Sequence, residues 1–380
     1  MKSQRDLTVT LAFAVAVLCV VFSYTLVAQV EAPTGFDDLT NGLVSQATHD
    51  ADRAIFEQVR TQPAGLGPTY NRTNCAECHI SPVTGGVSTF ADLLAGSGSP
   101  VVARLVHENA ICVAAQDPPP GATEITTRRL TLNTLGDGFV EALADSTFTA
   151  IQAGQPASMR GTILLVPVGV GATAVGRFGW KDPHVSLQLL AASQYLNEIG
   201  FTTPLFPSEL TATCDAVPDP EDAANDFDAA ARFIRATKAP PRDAALAATP
   251  DAIAGGNLFN AIGCNVCHVT SLTTAPPGTV LQGGTYVVAA ALGNKIIHPY
   301  SDFLLHNIGT SDGFPATPKK MRTAPLWGLR THQVYLHDGA SLSLSDAILR
   351  HAGEATTVIN NYNALSATQQ RQLITFLQSL

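Results

Sequence analysis

Two copies of one short pattern constrain this chain more than any other feature. Residues 75–79 read Cys-Ala-Glu-Cys-His, and residues 264–268 read Cys-Asn-Val-Cys-His. In a C-x-x-C-H pattern the two thiols can add to the vinyl groups of a haem, and the adjacent imidazole can become the proximal iron ligand. A lone C-x-x-C can instead be a redox dithiol, and two pairs can form a four-cysteine zinc site. The histidine that follows both pairs favours two covalently bound c-type haems.

Each motif follows a predicted helix. Thr249 and Pro250 are a typical N-cap and first helical residue, and apolar residues from Ile253 to Ile262 recur at helical spacing. A similar apolar stretch over residues 54–59 precedes the first motif. The predicted cofactor-binding residues are Cys75, Cys78, His79, Cys264, Cys267 and His268, with His79 and His268 as iron ligands.

The wider pattern predicts a mainly α fold of two cytochrome c-like haem domains, with irregular and short β insertions. Helices are predicted over about 49–59, 186–199, 223–237 and 367–380. Residues 80–100 are predicted as loop, and residues 125–175 as irregular structure with a few short strands. Residues 180–187 can be aligned with residues 337–344, and both stretches end in Ser-Leu. This echo indicates an internal duplication.

A chain of 380 residues is long enough for two domains with separate cores. We predict a signal peptide or N-terminal membrane anchor over 1–30, a haem domain with a long insertion over 31–238, and a second haem domain over 239–380. The leader prediction rests on Lys2 and Arg5, followed by an uncharged run from Leu7 to Val30. Cleaved or retained, such a leader predicts export to the bacterial periplasm.

Two cysteines remain after the leader and the two motifs are counted, namely Cys112 and Cys214. In an oxidising compartment they are expected to form a disulfide, the alternative being two buried free thiols. The formal net charge of −9 argues against a nucleic-acid partner, since no basic stripe is present to meet phosphates. The same charge permits a basic redox partner.

Several longer stretches go beyond the haem motifs: GLGPTYN at 65–71, GRFGWK at 176–181, YSDFLLHNIG at 300–309, RTAPLWGL at 322–329 and LHDG at 336–339. Together they resemble the bacterial di-haem cytochrome c peroxidase superfamily, and most of all its di-haem oxidoreductase (putative peroxidase) branch. The resemblance covers roughly residues 50–380. It implies that peroxide reacts at the N-terminal haem and that the C-terminal haem relays electrons.

The resemblance also implies roles for single residues. Trp180 matches a tryptophan between the haems, and Glu198 is similar to a glutamate that acts as acid and base in the peroxide pocket. His351 stands where relatives carry a Met or Tyr ligand, which implies a second haem with two histidine ligands. Read alone, Trp180 would be a core residue, Glu198 a helix-end carboxylate and His351 a satisfied histidine. His306 and His337 are interpreted as hydrogen-bond donors near a haem propionate.

The chain departs from the resemblance at a calcium motif, at the loop for a distal histidine, and in a much longer segment between His79 and Trp180. The calcium site of the peroxidases uses a Thr-x-Pro where His332 and Val334 stand here, so calcium is left open. The loop that gives the first haem a distal histidine in resting peroxidases has none at the equivalent spacing. His107 is the nearest candidate, and Met159 is another.

The predicted function is peroxide reduction, with electrons from a small redox protein or a quinol-linked donor. A six-coordinate first haem would instead make the chain an electron-transfer cytochrome without peroxidase activity. A third hypothesis is a protein-modifying oxidase of the kind that matures a tryptophan cofactor. That relative has Tyr where His351 stands, which counts against it. Membrane contact is expected only through an uncleaved leader.

Overall fold

The helices of this computed structural model carry the two haem motifs and the core. The structure describes residues 29–98, 102–310, 312 and 319–380, so residues 1–28 of the predicted leader lie outside it. The α-helices in the described part are α1 Gln46–Phe56, α2 Asp137–Glu141, α3 Asp145–Gly154, α4 Leu187–Gln194, α5 Asp226–Ala236, α6 Ala244–Ala247, α7 Pro250–Ala261, α8 Leu344–Leu349, α9 Thr356–Asn363 and α10 Ala367–Gln378. Helix makes up 34% of the structure, an ordinary share for a globular protein, so the prediction of a mainly α fold is not confirmed.

Helix starts follow the side-chain caps that the sequence offers. Thr249 accepts a hydrogen bond from the backbone N–H of Ala252, and Pro250 opens α7, which confirms this predicted helix. Ser186 caps α4 in the same way. Ser366 and Gln369 form a reciprocal capping box at the start of α10, another predicted helix.

The strands are short and pair in small groups. They are β1 Val30–Glu31, β2 Thr69–Tyr70, β3 Ala91–Ser97, β4 Val102–Val106, β5 Asn109–Ala110, β6 Ile125–Leu130, β7 Leu165–Gly169, β8 Ala172–Val175, β9 Leu272–Thr273, β10 Val280–Leu281, β11 Tyr286–Val287, β12 Lys295–Ile297, β13 Leu305–His306 and β14 Met321–Arg322. One antiparallel sheet has the order β4-β3-β6. Another has the order β1-β12-β9, in which β1 runs parallel to β12. The other strands form the antiparallel pairs β2-β5, β7-β8, β10-β11 and β13-β14.

Two segments differ from their predictions. Residues 80–100 were expected to be loop, but β3 runs through them and is the central strand of its sheet. Residues 125–175 contain α2 and α3 besides their strands. Every residue of α2 is buried, so tertiary packing rather than an amphipathic pattern maintains it. Serine and threonine residues near the start of α3 have weak helix propensity and hid that helix in the sequence.

Two apolar clusters form the core. The larger one contains Phe56, Phe139, Tyr195 and Phe233, and residues from Leu272 to Leu304 also pack into it. The smaller one is built around Phe259, Tyr362 and Phe376 and joins α7 to α10. Helices α7 and α10 approach closely at Gly255, where a Cβ atom would lie 2.0 Å from the carbonyl oxygen of Gln372. The division into domains at residue 239 stays a prediction.

One covalent link joins distant parts of the chain. Cys112 and Cys214 form a disulfide, as expected from the sequence. The four motif cysteines form no disulfide within the described residues. No helix within the described ranges is both long and apolar enough to span a bilayer.

Candidate haem sites

A cavity of about 210 Å³ lies beside the second motif. Its wall is mostly apolar and includes Phe259 and Ile262 near the end of α7, together with Leu373 and Leu377 of α10. The polar and sulfur-bearing residues of the wall include Cys264, Cys267, His268, His332, His337 and His351. A cavity with apolar walls, two adjacent thiols and several imidazoles suits a flat, mainly apolar cofactor that needs iron ligands.

His268 is oriented by the backbone on the cavity's edge. Its Nδ1 donates to the carbonyl oxygen of Tyr300 over 3.0 Å, which leaves Nε2 as the nitrogen that can bind iron. Burial and then the nearby His351 lower the pKa of His268 to about 4, so the ring is neutral at physiological pH. A neutral imidazole is the form that ligates a metal.

The backbone holds His351 in the same way as it holds His268, although His351 lies further along the chain. It follows α8, and its Nδ1 lies 2.8 Å from the carbonyl oxygen of Ala347. Burial lowers the pKa of His351, so this ring is also neutral. The structure therefore brings His268 and His351 to one cavity, each with Nδ1 held by a backbone carbonyl.

His332 gives a separate indication that the cavity accommodates a polar ligand group. Its Nε2 is buried and has no hydrogen-bond partner among the residues that the structure describes. Burial lowers the pKa of His332 to about 4, and the residue is part of the cavity wall. A buried unpaired nitrogen costs free energy unless a ligand satisfies it. The oxygens of a haem propionate would supply the hydrogen-bond partner that His332 Nε2 lacks. The residues of the cavity therefore fit a haem.

Trp180 lies on the wall of the same cavity. Its Nε1 donates to the carbonyl oxygen of Leu130 over 2.7 Å, and its ring meets the ring of His337 edge-on at 6.2 Å. The backbone N–H of Leu130 in turn donates to the backbone carbonyl oxygen of His337 over 2.7 Å. Leu132, two residues on, has its backbone close to the ring of His79 in the first motif. Residues 130–132 therefore connect Trp180 to the first site.

The first motif has the same anchored imidazole. His79 Nδ1 lies 3.2 Å from the carbonyl oxygen of Gly86, and the ring of Phe56 meets the His79 ring at 6.1 Å. Burial lowers the pKa of His79 to about 4. Burial also raises the pKa of the Cys75 thiol to about 12 and raises that of Cys78.

Glu198 lies next to this first motif, in the π-helical turn Tyr195–Ile199 that continues α4. Its backbone carbonyl accepts from the N–H of Asn71 over 2.8 Å, and its carboxylate accepts from the Asn71 side-chain amide over 2.8 Å. Burial first, and then Glu198, raise the pKa of Cys78, which indicates that this carboxyl group lies near the first motif.

A second carboxyl group pairs with Glu198. Asp92, on β3, accepts from the same Asn71 amide over 3.3 Å and hydrogen-bonds to Glu198. Burial first, and then the charge of Asp92, hold the pKa of Glu198 well above its usual range. Burial raises the pKa of Asp92 to about 6. Because two buried carboxylates repel, the pair shares a proton, and Glu198 donates it to Asp92.

The structure also places His107 and Met159, the two alternative distal ligands of the first haem. His107 is buried, with Nδ1 2.6 Å from an Asp117 carboxylate oxygen and Nε2 2.8 Å from the carbonyl oxygen of Asn197. Both ring nitrogens are therefore engaged. Met159 belongs to the smaller core cluster and lines the cavity of the second motif.

Two further groups of potential metal ligands are found among the described residues, and one of them includes Cys267 of the second motif. They comprise Cys267, Asp302 and His306 in one group and Glu209, Asp215, Asp219 and Glu221 in another. Neither contains both cysteine pairs, so the four-cysteine zinc alternative is not realised in the described part of the chain. The acidic group is not at the His332 and Val334 positions considered for calcium. Burial and a hydrogen bond with Glu221 raise the pKa of Glu209 to about 9, so this group carries protons at neutral pH.

Sequence reasoning missed Asp92 and His332 as site residues. Asp92 was hidden in a segment predicted as loop, and only the pairing of β3 with its neighbours brings it to Glu198. His332 was noted only as a departure from a calcium motif. The sequence signal for His332 was a histidine at the calcium-motif position where the peroxidases carry threonine, close to the second haem site.

The two haem motifs and the imidazole-lined cavity define a protein of the di-haem class. A family model described as "Di-haem oxidoreductase, putative peroxidase" matches residues 166–380, more than half of the chain. The chain therefore belongs to this family, which confirms the resemblance seen in the sequence. Membership makes it an oxidoreductase and implies two haems.

Solved structures with 15% sequence identity resemble the chain as well. One is hydrazine synthase of Kuenenia stuttgartiensis, with 100% of both chains covered and a TM-score of 0.45. Another is a MauG-like protein associated with microbial copper homeostasis, with 94% of this chain and 95% of that chain covered and a TM-score of 0.44. A third is the diheme peroxidase BthA of Burkholderia thailandensis, with 88% and 86% covered and a TM-score of 0.44. No curated protein sequence matches the chain.

Proposed function

We propose that this chain is an exported di-haem c-type cytochrome that reduces peroxide at its N-terminal haem, with electrons relayed by its C-terminal haem. The observation that carries the proposal is the difference between the two sites. A second neutral histidine, His351, shares a cavity with His268, whereas a proton-sharing carboxyl pair, Glu198 and Asp92, lies beside the first motif.

Covalent attachment is assigned to the two thiols and one histidine of each motif. Cys75 and Cys78 would bind the first haem and Cys264 and Cys267 the second, with His79 and His268 as proximal ligands. The bonds from Nδ1 to Gly86 and to Tyr300 fix the ring orientation and the tautomer. His351 would complete the coordination at the second site.

The acid and base chemistry is assigned to Glu198. A bound haem supplies an iron that exchanges electrons with peroxide. Reduction of one peroxide takes two electrons and two protons and yields two water molecules. When the shared proton resides on Asp92, the Glu198 carboxylate takes a proton from one peroxide oxygen and delivers it to the leaving oxygen, while Asn71 fixes the carboxyl group in place. Burial first, and then Asp92, hold the pKa of Glu198 high, which favours delivery of that proton as an acid.

Electron relay is assigned to Trp180. The residue lies on the wall of the second cavity, and its bond to Leu130 ties it to the segment that reaches His79. Electrons would come from a small redox protein or a quinol-linked donor, and the net charge of −9 suits a basic partner. The periplasm is the proposed compartment, which agrees with the disulfide.

The test combines spectroscopy with one substitution. The purified ferric protein and its one-electron-reduced form are examined by absorption and EPR, and a high-spin signal in either form is expected. Glu198→Gln is expected to lower peroxide turnover about 10²–10⁴-fold, because it removes a general acid and base. Glu57→Gln, an exposed carboxylate elsewhere, is the matched control.

Two low-spin irons in both redox forms would favour the alternative, an electron-transfer cytochrome without its own peroxidase activity. Full turnover in Glu198→Gln would leave the peroxidase reading intact but refute the acid and base role of this residue. Mass spectrometry of the denatured protein counts the covalently bound haems.

A further inference from the structure

His306 of β13 is a buried cation beside the second motif. Its side chain is 2% exposed, Nε2 lies 2.8 Å from an Asp302 carboxylate oxygen, and Nδ1 lies 2.8 Å from a Glu354 carboxylate oxygen. Because carboxylates accept rather than donate, both ring nitrogens carry protons and the ring is an imidazolium. Its partners are thus two carboxylates, not the propionate expected from the sequence.

The pKa of His306 agrees with this geometry. Burial alone would lower the pKa, but hydrogen bonds with Asp302, Cys267 and Glu354 outweigh burial and raise it to about 12. Burial would raise the pKa of Glu354, but its bonds with His306 and Lys320 hold it below its usual range. The cation and its outer carboxylate are therefore both charged at neutral pH.

The same cluster holds the backbone of the motif. The N–H of Asp302 donates to the carbonyl oxygen of Cys267 over 2.8 Å. The Gln155 side-chain amide donates to the carbonyl oxygen of Val266 over 3.0 Å and to the Asp302 carboxylate over 2.7 Å. His306 Nδ1 is 3.7 Å from the Sγ atom of Cys267, where a haem thioether would form. The cation therefore has a fixed position relative to the attachment point.

The surroundings of His306 leave little freedom for its ring. A Cβ atom at Gly161 would lie 2.7 Å from His306 Nε2, so this position has no room for a side chain. On the solvent side, Lys320 Nζ lies 3.1 Å from Glu354 Oε1 and 2.7 Å from the Thr162 hydroxyl. Lys320 balances the outer carboxylate, so the charges that remain beside the sulfur are the imidazolium, 3.7 Å away, and the Asp302 carboxylate paired with it.

The first motif has a different electrostatic environment. Burial first, and then the carboxyl groups of Glu198 and Asp92, raise the pKa of its Cys78 thiol, with Arg72 as the opposing cation. The two motifs are alike in sequence, yet a carboxyl pair borders the first, whereas an imidazolium held between two carboxylates borders the second. An iron that gains an electron becomes less positive, so a nearby cation favours its reduced form.

We propose that His306 acts as a fixed cation that raises the reduction potential of the second haem, an inference that rests on the proposed attachment of that haem at Cys264 and Cys267. His306 touches no reacting atom and acts through its charge on the haem. With His306 in place, the second haem keeps its electron more readily than it would with a neutral residue there. The chain would thereby distinguish its two haems by charges outside the iron ligands.

The test is a redox titration of the holoprotein followed at the haem absorption bands, with the first haem as internal reference. His306→Gln is expected to lower the equilibrium constant for reduction of the second haem on the order of tenfold, which is 59 mV for one electron. Glu354→Gln removes a negative charge and is expected to shift the potential upward. His298→Gln is the control, because His298 is exposed and pairs with Glu31.

An unchanged or raised potential in His306→Gln overturns the proposal. If that variant does not retain haem, Glu354→Gln decides, and an unchanged or lowered potential overturns it. Failure of the proposed function is distinguishable, because it shows as a missing covalent haem or absent peroxide turnover in the wild-type protein. The potentials are measured without peroxide.

Discussion

Asp92 and Glu198 illustrate what single residues add to a shared motif. Neither carboxyl group belongs to a C-x-x-C-H pattern, and 106 positions separate them in the chain (198 − 92). Asn71 joins them through one side-chain amide. Burial of two acids at one place makes their protonation states interdependent.

This coupling predicts a shift in the pH profile of turnover. Asp92→Asn removes a neighbouring charge that raises the pKa of Glu198. The pKa of Glu198 then falls, so its carboxylate form persists to lower pH. The acidic limb of the kcat/KM profile for peroxide is expected to move to lower pH. Glu57→Gln is the control, since Glu57 is exposed and makes no bond to either carboxyl group; an unmoved limb in Asp92→Asn would contradict the coupling.

Asp137 gives a second residue-scale prediction, on stability. It is buried at the start of α2, and burial raises its pKa from 3.8 to about 7. A carboxyl group whose folded pKa is raised stabilises the fold below about pH 4, and that contribution is lost as the pH rises through 7. Asp137→Asn is expected to raise the urea midpoint at pH 8 and to leave it nearly unchanged at pH 4. The exposed Asp50→Asn should change neither midpoint, and equal effects of Asp137→Asn at both pH values would refute the titration.

At the scale of elements, the contact between α7 and α10 supports the second haem motif, which follows α7 directly. Gly255 is in this contact because any Cβ atom there would collide with backbone of α10. Leu373 and Phe376 of α10 pack on Phe259 in the same cluster. The position of the second motif thus depends on a helix that begins about a hundred residues later.

Gly255→Ala is therefore expected to destabilise the protein by about 1–3 kcal/mol, through overpacking between the two helices. Gly154→Ala in α3 is the matched control, because nothing lies within 4 Å of its added Cβ and alanine favours helix by up to about 1 kcal/mol. Urea unfolding of both variants measures the difference. A Gly255→Ala variant as stable as Gly154→Ala would show that the helices can separate freely.

At the scale of the whole molecule, the Cys112–Cys214 disulfide joins residues 102 positions apart. A cross-link of this span restricts the unfolded chain more than the folded one. Replacing both cysteines by alanine is expected to lower the free energy of unfolding by about 2–4 kcal/mol. Denaturant titration measures this, and adding a reductant to the wild-type protein should reproduce the loss. Unequal losses from reduction and from substitution would point to packing at the alanines.

The sequence by itself determined what depends on short-range patterns. The spacing within C-x-x-C-H predicts the haem attachment residues, which stay predictions, and the caps Thr249, Ser186 and Ser366 mark helices that the structure confirms. Family membership was also readable, since several local motifs agree. The buried helix α2 was not predicted, because its formation depends on packing and not on a periodic pattern.

Only the tertiary structure decided which charges surround each motif. Asp92 meets Glu198 through the β3 sheet, Glu354 meets His306 across 48 positions, and His107 is engaged by Asp117 and Asn197. The physical reason is that electrostatic effects depend on distance in space and on burial, and neither can be read from spacing along the chain. Two motifs with the same spacing therefore acquire a carboxyl pair in one case and a carboxylate-bound imidazolium in the other only when the chain folds.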